Sequence, residues 1–171
     1  DVWDIVSLGS SLFFRSPNKI FQYNSGAITV FKAPTEWAYL TSCNGKLYAH
    51  DYQTGLMAFE NDAWQPVVTN YSFSKTDPIT GMIPSGSGAI ITTLKSGIFY
   101  FYNNTITPIK SGAARFLQNE RIYSAIAINK EWTALATSNS GVYIINNRAE
   151  IIQKFSSTEG LQSNNILSIF L

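Results

Sequence analysis

Cysteine and histidine each occur once in this sequence, and charged residues make up only 13% of its 171 positions. Because Cys43 is the one cysteine, the chain cannot form an internal disulfide, and we interpret Cys43 as a structural thiol. A cysteine nucleophile needs a base that a third group holds in place, and the chain offers only His50, with no such group. Nucleophilic catalysis is therefore not expected.

Basic residues are also few and scattered. Twelve Lys and Arg residues nearly balance eleven Asp and Glu residues, and no run of them could neutralise a row of phosphates. We therefore expect this segment to contact no nucleic acid.

Long apolar runs are missing as well. No stretch approaches the roughly 18 apolar residues that a membrane-spanning helix needs, and no signal peptide stands at the start. The chain begins at Asp1 and stops at Leu171 within an apolar alternation, so we expect both ends to lie inside a longer polypeptide.

Aromatic and β-branched residues dominate what is present. Hydrophobic residues make up 45% of the chain and aromatic residues 14%, while long stretches of helix-favouring residues are absent. This composition predicts a folded, all-β chain.

A short apolar strand entered through a polar turn recurs four times, at residues 18–23, 55–59, 97–101 and 141–145. The first apolar residue of each copy falls at position 20, 56, 98 or 142, so the copies are 36, 42 and 44 residues apart. A four-stranded blade of a β-propeller takes about 40 to 50 residues. Two of the spacings lie within this range and the first lies just below it, so we interpret all three as blade periods.

Turn signals on both sides of each copy predict four strands per repeat, joined as hairpins. Glycine closes the preceding turn in three copies, so we expect a positive φ there, with Asn18 as the substitute in the first copy.

The predicted fold is all-β, a β-propeller segment of four four-stranded antiparallel blades plus the first strand of a fifth. The approximate blades are 1–34, 35–75, 76–117 and 118–159, followed by 160–171. A complete ring usually needs more blades, which we expect in the intact protein.

Two motifs near the end of the chain resemble the two-component regulator propeller repeat. Residues 160–166 read Gly-Leu-Gln-Ser-Asn-Asn-Ile and continue as an apolar strand, similar to the family's Gly-Leu, polar residues, Asn and strand. Residues 132–143, from Trp through Thr and a polar turn to Gly-Val-Tyr, are similar to the other half of the repeat. A weaker form occurs at 92–99, and the first two blades lack the Gly-Leu opening.

The resemblance implies the extracytoplasmic sensor domain of a bacterial membrane regulator, often a hybrid histidine kinase. It implies a periplasmic location within an inner-membrane protein, a β-sandwich after the propeller, and a homodimer of the full-length protein. It also implies a response to carbohydrates, so an oligosaccharide is the expected ligand. No cofactor is expected, and the sequence does not identify the ligand-binding residues.

Aromatic residues in the segments around Trp37, Trp64 and Tyr71 are candidates for stacking on a sugar ring. The alternative is packing between neighbouring blades, which is the commoner role of large aromatic residues. The sequence predicts this packing role for the tryptophans at strand ends.

No catalytic or metal-binding constellation emerges. His50 and Asp51 suggest a base with its orienting acid, yet adjacent residues of a strand point to opposite faces and cannot form that pair. The acids are too dispersed for a cation site, and Asp77, for example, has no acidic neighbour nearby in sequence. We therefore predict a protein that is not an enzyme, with no catalytic residue and no metal.

Two other functions stay open. A propeller enzyme, of the polysaccharide lyase or lactonase type, would gather His, Asp, Glu and Arg at one end of the channel, which one histidine and dispersed carboxylates argue against. A cytoplasmic protein-interaction propeller of WD-repeat type fits the period of the repeat. Its recurring Gly-His and Trp-Asp pairs are absent, and the one Trp-Asp, at residues 3–4, lies near the start of a strand.

Overall fold

Four antiparallel sheets account for most of the chain. The computed structural model describes residues 1–67, 70–117 and 119–171, and these residues form sixteen strands in four sheets of four. Within each sheet, every strand pairs with the next strand along the chain. The predicted all-β class and the four-stranded antiparallel blades are confirmed.

The strands of the first two sheets are β1 (Asp4–Leu8), β2 (Ser11–Arg15), β3 (Lys19–Asn24), β4 (Ala27–Lys32), β5 (Trp37–Cys43), β6 (Lys46–Asp51), β7 (Gly55–Glu60) and β8 (Ala63–Pro66). Those of the last two sheets are β9 (Ile79–Ser85), β10 (Gly88–Thr93), β11 (Ile98–Tyr102), β12 (Thr105–Pro108), β13 (Ile122–Ala127), β14 (Trp132–Thr137), β15 (Val142–Asn146) and β16 (Ile151–Phe155).

Helices are short in the described residues. They are α1 (Gly112–Leu117) and a 3₁₀ helix (Ser157–Glu159).

Residues 160–171, expected to contain the first strand of a fifth blade, form no strand. Two backbone hydrogen bonds, from Gly141 to the Asn164 carbonyl and from Ile166 to the Thr137 carbonyl, hold this segment. It has no hairpin partner, and a strand needs a ladder of such bonds. The predicted boundary at residue 118 lies outside the described residues.

The turns before the third strands follow the glycine prediction in three blades. Gly55, Gly97 and Gly141 have φ values of 86°, 89° and 84°. The prediction for Asn18 is wrong, since its φ is not positive. In that turn the Ser16 amide donates to the Lys19 carbonyl over 2.8 Å, and the Lys19 amide donates to the Ser16 hydroxyl, so the turn closes without a left-handed residue.

A substitution at one of these glycines tests how closely β15 and β16 pack. A Cβ at Gly141 would lie 2.0 Å from the Phe155 carbonyl oxygen, whereas a Cβ at Gly9 would meet nothing within 4 Å. Both residues have a positive φ, so alanine brings similar backbone strain at each, roughly 1 kcal/mol. We expect Gly141→Ala to cost about 2 kcal/mol more than Gly9→Ala, because only Gly141 adds the clash. Urea unfolding of both variants measures the difference, and equal losses would contradict this packing.

The chain divides into two compact units, Asp1–Pro78 and Ile79–Leu171. In the first unit, the first and second sheets stack and bury one hydrophobic cluster between them. Phe13 and Ile20 come from the first sheet, and Trp37, Leu47 and Met57 from the second. Successive side chains of a strand point to opposite faces of the sheet. Apolar residues at every second position of each strand are therefore enough to form this core.

A partly buried ion pair connects the two sheets of the first unit. The Arg15 Nε donates to the Asp4 carboxylate, and the Arg15 side chain is only 9% exposed. The Arg15 Nη1 also donates to the Trp37 carbonyl over 2.6 Å, and the Leu40 amide donates to Asp4 over 3.1 Å. Each charged group therefore also forms a hydrogen bond with the backbone of β5, which links the first blade to the second.

The other face of the first sheet, called the outer face here, is apolar and exposed. Its strands pair so that Ile5, Phe14, Phe21 and Val30 lie in one row across the sheet. The exposed large apolar side chains of the outer face are Trp3, Ile5, Leu12, Tyr23, Ile28 and Val30. A contiguous apolar face of this kind is normally covered by another element.

The second unit repeats the arrangement with the third and fourth sheets. Its core includes Ile90 and Ile98 from the third sheet, Leu117 from α1, and Leu135 and Tyr143 from the fourth. Strands β9 and β13 approach closely, since a Cβ at Gly81 would lie 2.6 Å from the Ala125 Cβ. Each unit is thus a pair of stacked blades.

Candidate functional site

The structure separates the three aromatic candidates into two groups. Trp37 is 1% exposed and belongs to the core between the first two sheets. Trp64 is half-buried, and its ring packs against those of Trp37 and Phe59 at centroid distances of 5.4 and 5.2 Å. Both tryptophans therefore pack between blades. Tyr71 lies elsewhere, at the wall of a surface cleft.

The cleft, called the Tyr71 cleft here, opens in the first unit. It has a volume of about 360 Å³, within the range of small-molecule sites. One wall is the turn between β6 and β7, residues 53–55, which continues into Leu56. The other wall includes Val67, Asn70, Tyr71 and Ser72.

Asp51 holds the first wall in place. Its side chain is buried, and its carboxylate accepts hydrogen bonds from the backbone amides of Gln53 (3.0 Å) and Thr54 (2.9 Å). It also accepts from the amides of Thr35 (2.8 Å) and Glu36 (2.9 Å) and from the Thr35 hydroxyl. One carboxylate therefore ties the turn of the cleft to the loop that enters the second blade.

These contacts set the ionisation of Asp51. Burial raises the pKa of its carboxyl, but hydrogen bonds from Thr54, Thr35 and Gln53 outweigh burial and leave the pKa below its usual value. Asp51 is therefore charged near neutral pH, and its charge is engaged by donors of the protein itself.

His50 supports the second wall. Its side chain is 0% exposed, and its ring lies edge-on to the rings of Tyr52 and Phe73 at centroid distances of 5.5 and 5.7 Å. Phe73 in turn contacts the Tyr71 ring at 5.0 Å. A column of rings therefore connects β6 to Tyr71 and limits how far the tyrosine can move.

Adjacent in sequence, His50 and Asp51 do not form a catalytic pair. Neither ring nitrogen of His50 has a hydrogen-bond partner among the described residues, so Asp51 does not orient the imidazole. Burial lowers the pKa of His50 from 6.5 to about 4, although the charge of Asp51 raises it in part. The two side chains support opposite walls of the Tyr71 cleft instead.

Sequence reasoning missed this role of Asp51, although a signal was present. Asp51, Thr93 and Thr137 each stand four residues before the positive-φ glycine of their blade. In the third and fourth blades, the threonine hydroxyl accepts from the amides of Ser96 and Ser140. Asp51 occupies the same capping position in the second blade, and its two oxygens reach further donors.

The described residues that line the Tyr71 cleft are uncharged. They contribute amide, hydroxyl and phenol groups together with apolar groups, and none of them has an acidic or basic side chain. Lys75, close to the second wall in sequence, forms an exposed ion pair with Glu36. Across the described ranges, no group of three or more His, Cys, Asp or Glu residues could hold a metal ion.

Cys43 is not available for chemistry at the surface. It is a buried free thiol, and burial raises its pKa to about 11. The thiolate is therefore scarce near neutral pH, and Cys43 is inert as a nucleophile.

The stacked four-stranded meanders define the class of this chain, a segment of a β-propeller. No family model matches the sequence, and no curated protein matches it. Solved structures do match. One is the extracellular domain of BT4673 from B. thetaiotaomicron, named as a hybrid two-component system, with a TM-score of 0.74 and 18% identity. That match covers 99% of this chain and 24% of the solved one.

Two further structures show the same fold. The extracellular domain of BT3049 from B. thetaiotaomicron, also named as a hybrid two-component system, matches with a TM-score of 0.65 and 16% identity, over 90% of this chain and 24% of that one. The WD40 β-propeller domain of Doa1 matches with a TM-score of 0.67 and 9% identity, over 95% of this chain and 56% of that one. The chain spans about a quarter of the length of the two extracellular domains. In the described residues, no helix is both long and apolar enough to cross a membrane.

Proposed function

We propose that residues 1–171 belong to the recognition propeller of a bacterial signal-transduction regulator and bind carbohydrate without transforming it. The observation that carries this proposal is the Tyr71 cleft, in which a supported aromatic ring stands beside uncharged hydrogen-bonding groups. Sugars combine apolar ring faces with hydroxyls, so they suit such a lining. The repeat motifs at 132–143 and 160–166, and the fold shared with extracellular domains of two-component systems, support the same assignment.

The proposed propeller contains more blades than residues 1–171 supply. The segment forms part of one β-propeller with blades at approximately 1–34, 35–75, 76–117 and 118–159, and 160–171 starts the next. The outer face of the first sheet is apolar and exposed, which favours a further blade of the same polypeptide packed against it. A following β-sandwich, a full-length homodimer and a periplasmic location complete the proposal, on the strength of the family resemblance alone.

A signalling measurement on the full-length protein tests this function. We expect a set of oligosaccharides of plant and host origin to contain a ligand that changes the output of the regulator and is recovered intact. Calorimetry reports the binding, and chromatography of the glycan reports whether it is consumed. Turnover that a substitution within residues 1–171 abolishes would instead identify a propeller enzyme. Binding of a protein partner with no response to any glycan would identify an interaction propeller.

A further inference from the structure

The walls of the Tyr71 cleft indicate which net charge its ligand has. The turn between β6 and β7 contains backbone amides in the arrangement that binds anions in other proteins. In this chain the amides of Gln53 and Thr54 already donate to the buried Asp51 carboxylate. They are therefore not available to an anion, and a negative charge lies directly behind them.

The described lining of the cleft contains no cation that compensates for this charge, since none of its side chains is basic. The ammonium group of Lys75 is bound to Glu36 and lies 5.6 Å from the centre of the Tyr52 ring. An anionic sugar would thus lose hydration and find no counter-charge, which costs binding free energy.

The uncharged groups of the cleft are arranged for a neutral ring. Gln53 and Ser72 are exposed polar residues on opposite walls, and Tyr71 is half-buried beside Ser72. Phe73 is 3% exposed and supports the Tyr71 ring from the protein interior. A ring that the protein already holds in place loses little side-chain entropy when a ligand stacks on it.

We propose that the Tyr71 cleft is a saccharide subsite that selects an uncharged sugar residue, with Tyr71 as the stacking platform and Gln53 and Ser72 as hydroxyl-binding groups. This inference rests on the proposed function, because it specifies the ligand class of the same propeller. Uronic and sulfated sugars are excluded by the chemistry of the turn.

Calorimetry on the complete extracytoplasmic region tests the inference with two sets of probes. The neutral set contains xylo-, manno- and galacto-oligosaccharides, and the acidic set contains oligogalacturonides and heparin oligosaccharides. We expect binding from the neutral set only. Tyr71→Ala should weaken that binding at least about tenfold, and Tyr71→Phe should keep it within about threefold because the ring remains.

Two further variants control for folding. Gln53 is exposed, so Gln53→Ala leaves the fold unchanged and should weaken binding about threefold to tenfold. Tyr102 is an exposed tyrosine of β11 outside the cleft, and Tyr102→Ala should bind as the parent protein does.

Each outcome decides between the two levels of the proposal. Neutral binding that Tyr71→Ala and Gln53→Ala both weaken supports the subsite. Neutral binding that neither variant changes overturns the subsite and leaves the sensor function intact. Preference for the acidic set overturns the selection for uncharged sugars. No binding from either set removes the carbohydrate function and the subsite together.

Discussion

Replacement of Asp51 by alanine is expected to lower the free energy of unfolding by about 4 kcal/mol. The reason is that the hydrogen-bond donors around this buried carboxylate lose their acceptor. Four partly buried backbone amides, those of Thr35, Glu36, Gln53 and Thr54, would lose the carboxylate that accepts their hydrogen bonds. Asp51→Asn keeps one acceptor oxygen but turns an amide donor toward these amides, so we expect an intermediate loss of about 2 kcal/mol. Urea unfolding followed by tryptophan fluorescence at pH 7 measures both values.

Glu60→Ala is the matched control for the loss of a carboxylate in the same sheet. Glu60 forms an exposed ion pair with Lys46 over 3.0 Å, with both side chains about half exposed. Exposed pairs contribute little, so the control should lose less than about 1 kcal/mol. If Asp51→Ala and Glu60→Ala are equally stable, then the hydrogen-bond network of Asp51 does not support the second blade.

Stability should also fall as the pH decreases from about 6.5 to about 4, by as much as about 3 kcal/mol, because His50 is buried in its neutral form. Burial lowers the pKa of His50 from 6.5 to about 4. Between these two pH values His50 binds a proton in the unfolded chain but not in the folded chain. Lowering the pH therefore favours unfolding. Asp51 acts in a lower window: its folded pKa is depressed, so its stabilisation is lost only as the pH falls through that depressed pKa.

His50→Phe isolates the contribution of the imidazole. Phenylalanine preserves the ring between Tyr52 and Phe73 and removes the only histidine of the chain. Its unfolding free energy should therefore be nearly independent of pH between 6.5 and 4.5, while the parent protein loses stability. Parallel curves for the two proteins in that range would show that His50 is not the group responsible.

The hairpins illustrate what local sequence can predict. A polar turn with Asn103 and Asn104 precedes a strand and follows another, and both residues adopt positive φ, 47° and 57°, as tight hairpin turns require. Strand alternation and turn residues act over a few positions, so their pattern alone indicated four-stranded blades. Asn18 shows the limit of this reasoning, because Ser16 closes that turn by a side-chain hydrogen bond that the glycine pattern does not contain.

The sequence by itself therefore determined the strand order, the blade period and the all-β class, since these depend on contacts between neighbours in the chain. Only the tertiary structure decided the site. The sequence predicted packing for the tryptophans at strand ends, and Trp37 lies in the core, but nothing in the local pattern placed Tyr71 at the cleft. His50 and Asp51 became supports of two walls because Phe73 and Thr35, both distant in sequence, pack against them. Such encounters follow from how the chain folds back on itself, which no local periodicity encodes.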